Sequence, residues 1–245
     1  MTANQTTPIT APGNVQDGHA RGLSHLIDCH VLELPRFDPG WVNEMRADLN
    51  AQPVNQYWLP GIDGQLGEAR ACGFALGCAP FVSSVDPDDR ITPGTFAALL
   101  KALQDNPSAP FAWAGEQMVN TKLEAWPVRP HVWPGGYEPV LHVYKGTHVH
   151  GVKLYRREQV TPHLSAMRTV GQACEFYLDL AIVKPYTNPP PTTWPVHVPM
   201  VGRLWRQHDT NGSRQFEQES FTRVAMALGF ESMNALRAET GRNCL

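Results

Sequence analysis

Residues 140–158 read VLHVYKGTHVHGVKLYRRE, and the fold expected of the chain turns on how this stretch is taken. Two β-favourable runs, 140–144 and 147–155, flank Lys145-Gly146. A two-residue connection ending in Gly supplies the positive φ that hairpin turns need, so the spacing predicts a β-hairpin. In that register Val143 faces His148 and Leu141 faces His150. His142 points to the opposite face, because side chains alternate along a strand. The three histidines do not converge, but His148 and His150 share a face.

Beyond the hairpin, 168–171 reads as a turn, 173–183 (ACEFYLDLAIV) as a buried strand and 196–205 as another. A Pro-rich loop, 185–195, joins the last two. Helices follow at 217–228, closed by Gly229, and at 232–239, closed by Gly241. Before the hairpin, a strand over 23–34 ends at Pro35. Asp38-Pro39 then offers an N-cap and a first-turn proline for a helix over 40–49, with Trp41, Met45 and Leu49 on one face. Thr92-Pro93-Gly94 opens a second helix through Phe96, Leu99, Leu100 and Leu103. Residues 50–70 read as loop, 74–85 as a strand region around Pro80, and Asp86-Pro87-Asp88-Asp89 as a turn. Residues 111–126 fit no single element type. The expected class is α+β, with helices in the N-terminal half and at the C-terminus and a β-rich C-terminal half. The expected organisation is a flexible arm over 1–22, an α/β scaffold over 23–135, and a β-rich region with closing helices over 136–245.

The 245 residues are 42% hydrophobic, enough for one large core or two small ones. With 22 Pro and seven Trp the chain should make many turns and short elements without being disordered. A net charge of −3 argues against indiscriminate nucleic-acid binding. The charge is uneven: residues 151–245 carry 11 Lys and Arg against 8 Asp and Glu, and residues 1–150 carry 9 against 15. That places an anion-binding surface in the C-terminal half. Five scattered Cys suit reduced thiols and a cytoplasmic setting. Cys72 and Cys78 are spaced too widely for a zinc knuckle. The opening residues have no secretory pattern, and no apolar run suits a membrane span.

Lys153, Arg156 and Arg157 close the predicted hairpin. If the later strand is their neighbour, Arg203 and Arg206 complete one phosphate-binding basic patch, with Tyr155 or Trp205 stacking a base. His148 and His150 form an alternative metal clamp. The H-x-H spacing occurs in cupins, but the carboxylate that family places soon after the second His is absent. His163-x-Ser165 and His208-x-Thr210 lack the flanking pattern of two-histidine phosphoesterases. Cys174, in an apolar run, reads as packing. No G-x-S-x-G, P-loop or dinucleotide fingerprint is present, and no cofactor is expected.

Residues 151–241 resemble an ASCH domain. Three features carry this: the Gly151-x-Lys153 start of GVKLYRRE, the Val170-Gly171-Gln172 turn, and the closing SFTRVAMALGFESMNALRAETG of residues 220–241. The family motif continues Gly-x-Lys-x-x-Glu-x-Arg. Here Arg156 holds the Glu position and Glu158 the Arg position, so only Gly151 and Lys153 carry over. The resemblance implies a small PUA-like barrel and RNA association, with nucleoside hydrolysis or RNA cleavage in some members. The expected function is a nucleic-acid-associated or nucleotide-recognising protein, with RNA or DNA as partner. The alternative is a structural protein of a virus particle or multi-subunit complex, engaging other subunits through 1–22 and 185–195. A metal enzyme using His148 and His150 is the second alternative. Whether the chain is an enzyme stays open, inclining to no.

Overall fold

Seven strands form one sheet in the computed structural model of the chain, which describes residues 24–127, 130, 135–209 and 218–244. The arm over 1–22 lies outside the described residues. The strands are β1 (Ile27–Glu33), β2 (Asn55–Pro60), β3 (Phe81–Val85), β4 (Arg90–Ile91), β5 (Phe111–Val119), β6 (Val152–Arg156) and β7 (Val196–Arg206). Their order is β2-β1-β3-β6-β5-β7-β4. The helices are α1 (Pro39–Asn50), α2 (Leu66–Phe74), α3 (Thr95–Asp105), α4 (Pro139–Tyr144), α5 (Arg157–Val160), α6 (Leu164–Val170), α7 (Cys174–Val183), α8 (Gln218–Ala227) and α9 (Met233–Cys244). Among the described residues no helix is long and apolar enough to cross a membrane.

Strand alternation divides the apolar side chains into two cores, one on each face of the sheet. On β5, Phe111 and Trp113 face one way and Ala112 and Ala114 the other. Met45 and Leu49 of α1 and Phe96, Leu99, Leu100 and Leu103 of α3 cover the alanine face. Helices α2, α6, α7, α8 and α9 cover the opposite face. Each fully buried Leu or Phe side chain contributes about 1.5–3 kcal/mol. Helix α1 begins as its sequence foretells, with Pro39 in the first turn and Asp38 Oδ1 accepting from Gly40 N at 2.7 Å. The helix through Phe96 to Leu103 also forms, and the strand expected over 196–205 forms as Val196–Arg206.

The 140–155 hairpin does not form. Residues 140–144 belong to α4, with Pro139 in the first helical turn, and 146–148 make a 3-10 turn. Only β6 remains of the expected second strand. The physical reason lies at Gly151, whose φ is +100° and where a Cβ would stand 2.3 Å from Ala114 O. The backbone must turn sharply there, so a strand cannot run from 147 to 155. Residues 173–183 are not a strand either. They form α7 with its preceding turn, and every side chain from Phe176 to Val183 is buried. A segment apolar on all sides has no period with which to tell helix from strand. The loop expected over 50–70 holds β2 and the start of α2, and 111–119 is a strand.

The expected fold class, with its β-rich C-terminal half and small PUA-like barrel, is therefore corrected to a seven-stranded mixed open sheet between helical layers. The resemblance to an ASCH domain falls with it. Strand β6 lies between β3 and β5, so the sheet draws strands from both sides of residue 135. β1 runs parallel to β2 and β3, β5 runs parallel to β7, and β6 is antiparallel to both its neighbours. The chain ends of β1, β2, β3, β5 and β7 therefore meet the start of β6 at one edge. Open α/β sheets bind ligands at such an edge.

Candidate functional site

A cleft of about 280 Å³ opens at that edge. The loop after β1 contributes Arg36 and Phe37, and the loop after β2 contributes Ile62 and Asp63. The turn after β3 contributes Asp86, Asp88 and Asp89. His150, Arg203 and Trp205 close the far wall. The acidic turn sits there because FVSSV of β3 is a short buried strand and Pro87 ends its ladder.

Each carboxylate of the turn has a dedicated partner. Arg70 of α2, itself 3% exposed, donates from Nη2 to Asp86 Oδ1. His208 Nε2 lies 2.9 Å from Asp88 Oδ2. The backbone N–H of Arg206 donates to Asp89 Oδ1 at 2.9 Å. Arg203 stands among them, its Nη1 3.5 Å from Asp89 Oδ2 and 3.9 Å from Asp86 Oδ2. Burial pushes the Asp89 carboxyl well above the usual carboxylate range, and Arg203 opposes that shift. The same guanidinium donates from Nε to Glu116 Oε2 at 3.0 Å. Glu116 Oε1 meets His150 Nδ1. Among the described residues no three His, Cys, Asp or Glu side chains gather so as to hold a metal ion.

Behind the cleft floor the charges continue. Arg70 Nε lies 2.9 Å from Glu175 Oε1, and Ser84 Oγ donates to the same oxygen at 3.0 Å. Lys153 Nζ lies 3.8 Å from Glu175 and 2.7 Å from Asp179. Tyr155 O–H donates to Asp179 Oδ1 at 2.7 Å. Burial opposes ionisation of Glu175, but Arg70 and Lys153 outweigh it and hold its carboxyl down at about 2. At Asp179 burial wins: the carboxyl is pushed up to about 6 despite Lys153. This network fixes α7 under β3 and β6 and holds Arg70 against Asp86.

The expected basic patch is dispersed. Lys153 and Tyr155 point under the sheet onto Asp179. Arg156 donates to the carbonyls of Ala109 and Leu103, both at 2.9 Å. Arg157 donates to Ala79 O, Phe74 O and Asp28 Oδ2. Both flank a shallow depression at the edge away from the cleft. Arg203 faces the cleft, whereas Arg206 is 1% exposed and pairs with Glu44. His148 and His150 separate: His148 Nε2 accepts from Glu138 N at 2.8 Å, whereas His150 turns to Glu116. In the 185–195 loop, Trp194 stacks on Tyr137 with centroids 5.4 Å apart, and Tyr186 packs on Phe230.

Asp86, Asp88 and Asp89 are not among the site residues expected from the sequence, and neither are Arg70 and Glu116. A signal for the first three was present: an acid-rich turn directly after a short apolar strand. Nothing local marks Arg70 or Glu116.

No protein family's model matches the chain, and no curated protein matches it. Solved structures do. Residues 1–349 of TarS from S. aureus match with a TM-score of 0.60 at 12% identity, over 89% of this chain and 71% of that one. The TarS complex with UDP-GlcNAc matches at 0.56 and 9% identity, over 89% and 71%. The complex with UDP matches at 0.59 and 11%, over 88% and 70%. Identity this low shows a shared glycosyltransferase-like α/β fold and no more. That fold overturns the nucleic-acid-associated reading drawn from a PUA-like module. It overturns equally the virus-particle or assembly-protein alternative. The metal-enzyme alternative falls on geometry instead, because His148 turns to Glu138 and His150 to Glu116.

Proposed function

We propose that the cleft binds a nucleoside diphosphate sugar and that the chain transfers its glycosyl group to an acceptor. The observation that carries this is the position of the cleft. It lies at the strand-end edge and is walled by the Asp86–Asp89 turn, in a fold shared with a protein crystallised with UDP and UDP-GlcNAc. The wall chemistry suits such a ligand. Leu34, Phe37 and Ile62 offer an apolar surface to a base, and the carboxylates can accept from ribose or sugar hydroxyls. Arg36 and Arg203 bring positive charge to the diphosphate. In the reaction the bond from the anomeric carbon to the phosphate oxygen breaks, and the nucleoside diphosphate leaves with the electron pair. The acceptor oxygen takes its place and gives up its proton.

Calorimetric titration of UDP and of UDP-GlcNAc, in EDTA and again in Mn²⁺, tests this. The acidic turn repels a bare diphosphate, so both conditions are needed. Saturable binding is expected in at least one, weakened about tenfold or more (about 1.4 kcal/mol) by Asp88→Asn. No binding in either condition, or binding indifferent to Asp88→Asn, overturns the proposal.

A further inference from the structure

The pairing of Glu116 with His150 is not used by ligand binding alone. Glu116 stands on β5 and is 0% exposed, and its two oxygens are divided between His150 Nδ1 and the Arg203 guanidinium. An ionised carboxylate only accepts, so Nδ1 of His150 carries the proton and Nε2 keeps its lone pair. Arg203 Nη2 lies 3.3 Å from Nδ1, but both are donors, so this contact acts through charge. The His150 side chain is 30% exposed and lines the cleft. Its ring packs edge-on against Trp205 with centroids 5.0 Å apart. The next residue, Gly151, is locked at positive φ against the Ala114 carbonyl. Ring and backbone are thus both held. Among the described residues no hydrogen bond engages Nε2.

The other charged groups that face this cleft each have a protein partner already, Arg36 with Asp63 at its mouth. Asp86, Asp88 and Asp89 hold Arg70, His208 and the Arg206 N–H, and Arg203 of β7 spans Glu116 and Asp89. Glu175 and Asp179 lie behind the floor with Arg70 and Lys153.

We propose that His150 is the proton acceptor of the transfer step and that Glu116 is its positioning residue. This rests on the reading of the cleft as a nucleotide-sugar site. As the acceptor oxygen bonds to the anomeric carbon, its proton passes to Nε2 of His150. The bond from that carbon to the phosphate oxygen breaks, and the electron pair leaves on the nucleoside diphosphate. Glu116 stabilises the imidazolium, which then returns its proton to solvent. A histidine held by a buried carboxylate is the arrangement that makes imidazole an oriented base.

Two measurements test it. The first needs no substrate: ¹⁵N NMR of the imidazole, assigned by its loss in His150→Gln, should show the neutral ring protonated at Nδ1. An Nε2–H tautomer overturns the proposal. The second is UDP release from UDP-GlcNAc with water as acceptor, from about pH 5 to 9. The wild-type rate should rise with pH, because the acceptor of the proton must be neutral. His150→Gln should lose the rise and about 100-fold in rate, while its UDP affinity stays within about threefold. Glu116→Gln should lose most of that rate with UDP affinity again within about threefold, because an ionised carboxylate no longer orients the ring. An unchanged profile in His150→Gln, loss of UDP binding in that variant, or a wild type that binds UDP-GlcNAc but releases no UDP or releases it at a rate flat with pH, overturns the proposal. Failure of the nucleotide-sugar reading looks different: the wild type then binds neither UDP nor UDP-GlcNAc.

Discussion

The two edges of the sheet use the same side chain for opposite purposes. At the edge away from the cleft, Arg156 and Arg157 donate mainly to carbonyls, among them Leu103 O in the last turn of α3 and Phe74 O at the end of α2, and Arg157 also meets the buried Asp28 carboxylate. Helix C-termini leave carbonyls without intrahelical donors, and a cation there also meets the negative end of the helix dipole. At the cleft edge, Arg70 and Arg203 instead hold the carboxylates Asp86, Asp89, Glu116 and Glu175. Guanidinium groups that cap carbonyls finish a structure. Those placed among carboxylates that open to a cleft hold charge in place for something else to meet. A basic run in a sequence therefore says little until its acceptors are known.

That contrast can be broken by substitution. The largest effect is expected at Arg157. Arg157→Ala leaves Asp28, 2% exposed, with its buried charge uncompensated by a cation. Denaturant unfolding should show a loss of about 3–5 kcal/mol, with UDP binding by the folded fraction unchanged. A stable Arg157→Ala protein that has lost UDP binding would place the ligand at the wrong edge.

Glu175 comes next. Its ordinary carboxyl value of 4.5 falls to about 2 in the folded chain, where Arg70 and Lys153 overcome the cost of burial. Its contribution is therefore present above about pH 4.5 and is lost as pH falls toward 2. Glu175→Gln should cost about 2 kcal/mol at neutral pH, a figure reduced for partial solvent access, and should flatten stability across that acid window. Asp179 works with the reverse sign. Its carboxyl is raised by burial to about 6, so its contribution is present below about 4 and is lost as pH rises through 6. Asp179→Asn should remove that loss. Equal slopes in wild type and Glu175→Gln would show that the network does not hold α7 as described.

The smallest effect on stability belongs to the cleft mouth. Arg36 and Asp63 pair at 2.5 Å, but Asp63 is 77% exposed. Asp63→Asn should change unfolding free energy by less than about 0.5 kcal/mol. Its UDP-GlcNAc affinity should nevertheless change measurably, because both loops line the cleft. An unaltered affinity would confine the binding surface to the Asp86–Asp89 wall.

Legibility in the sequence followed the range of the forces. Helix α1 was readable because Asp38 and Pro39 act within one turn, and α3 because Phe96, Leu99, Leu100 and Leu103 repeat at helical spacing. The stretch 140–155 misled because its composition favours strands. What excluded a hairpin was the approach of Gly151 to Ala114, 37 positions earlier, which no local pattern records. Helix α7 misled because it is buried on every side. The basic residues of the expected patch were legible as phosphate-binding chemistry, yet among the described residues most of the carboxylates they meet lie in the N-terminal half: Asp28, Glu44, Asp86, Asp89 and Glu116, with Glu175 and Asp179 beside Lys153.

The sequence by itself determined the Asp38 cap of α1, the apolar faces of α1 and α3, the strand expected over 196–205 and the kinds of side chain available, whereas Gly241, expected to close the last helix, lies inside α9. Each depends on neighbours a few positions away. Only the tertiary structure decided which of those side chains form a site. Asp89 meets the Arg206 N–H across 117 positions, and Arg157 meets Asp28 across 129. Those pairings exist because the order of the strands in the sheet brings their ends together, and strand order is set by burial of the two cores, not by any run of residues.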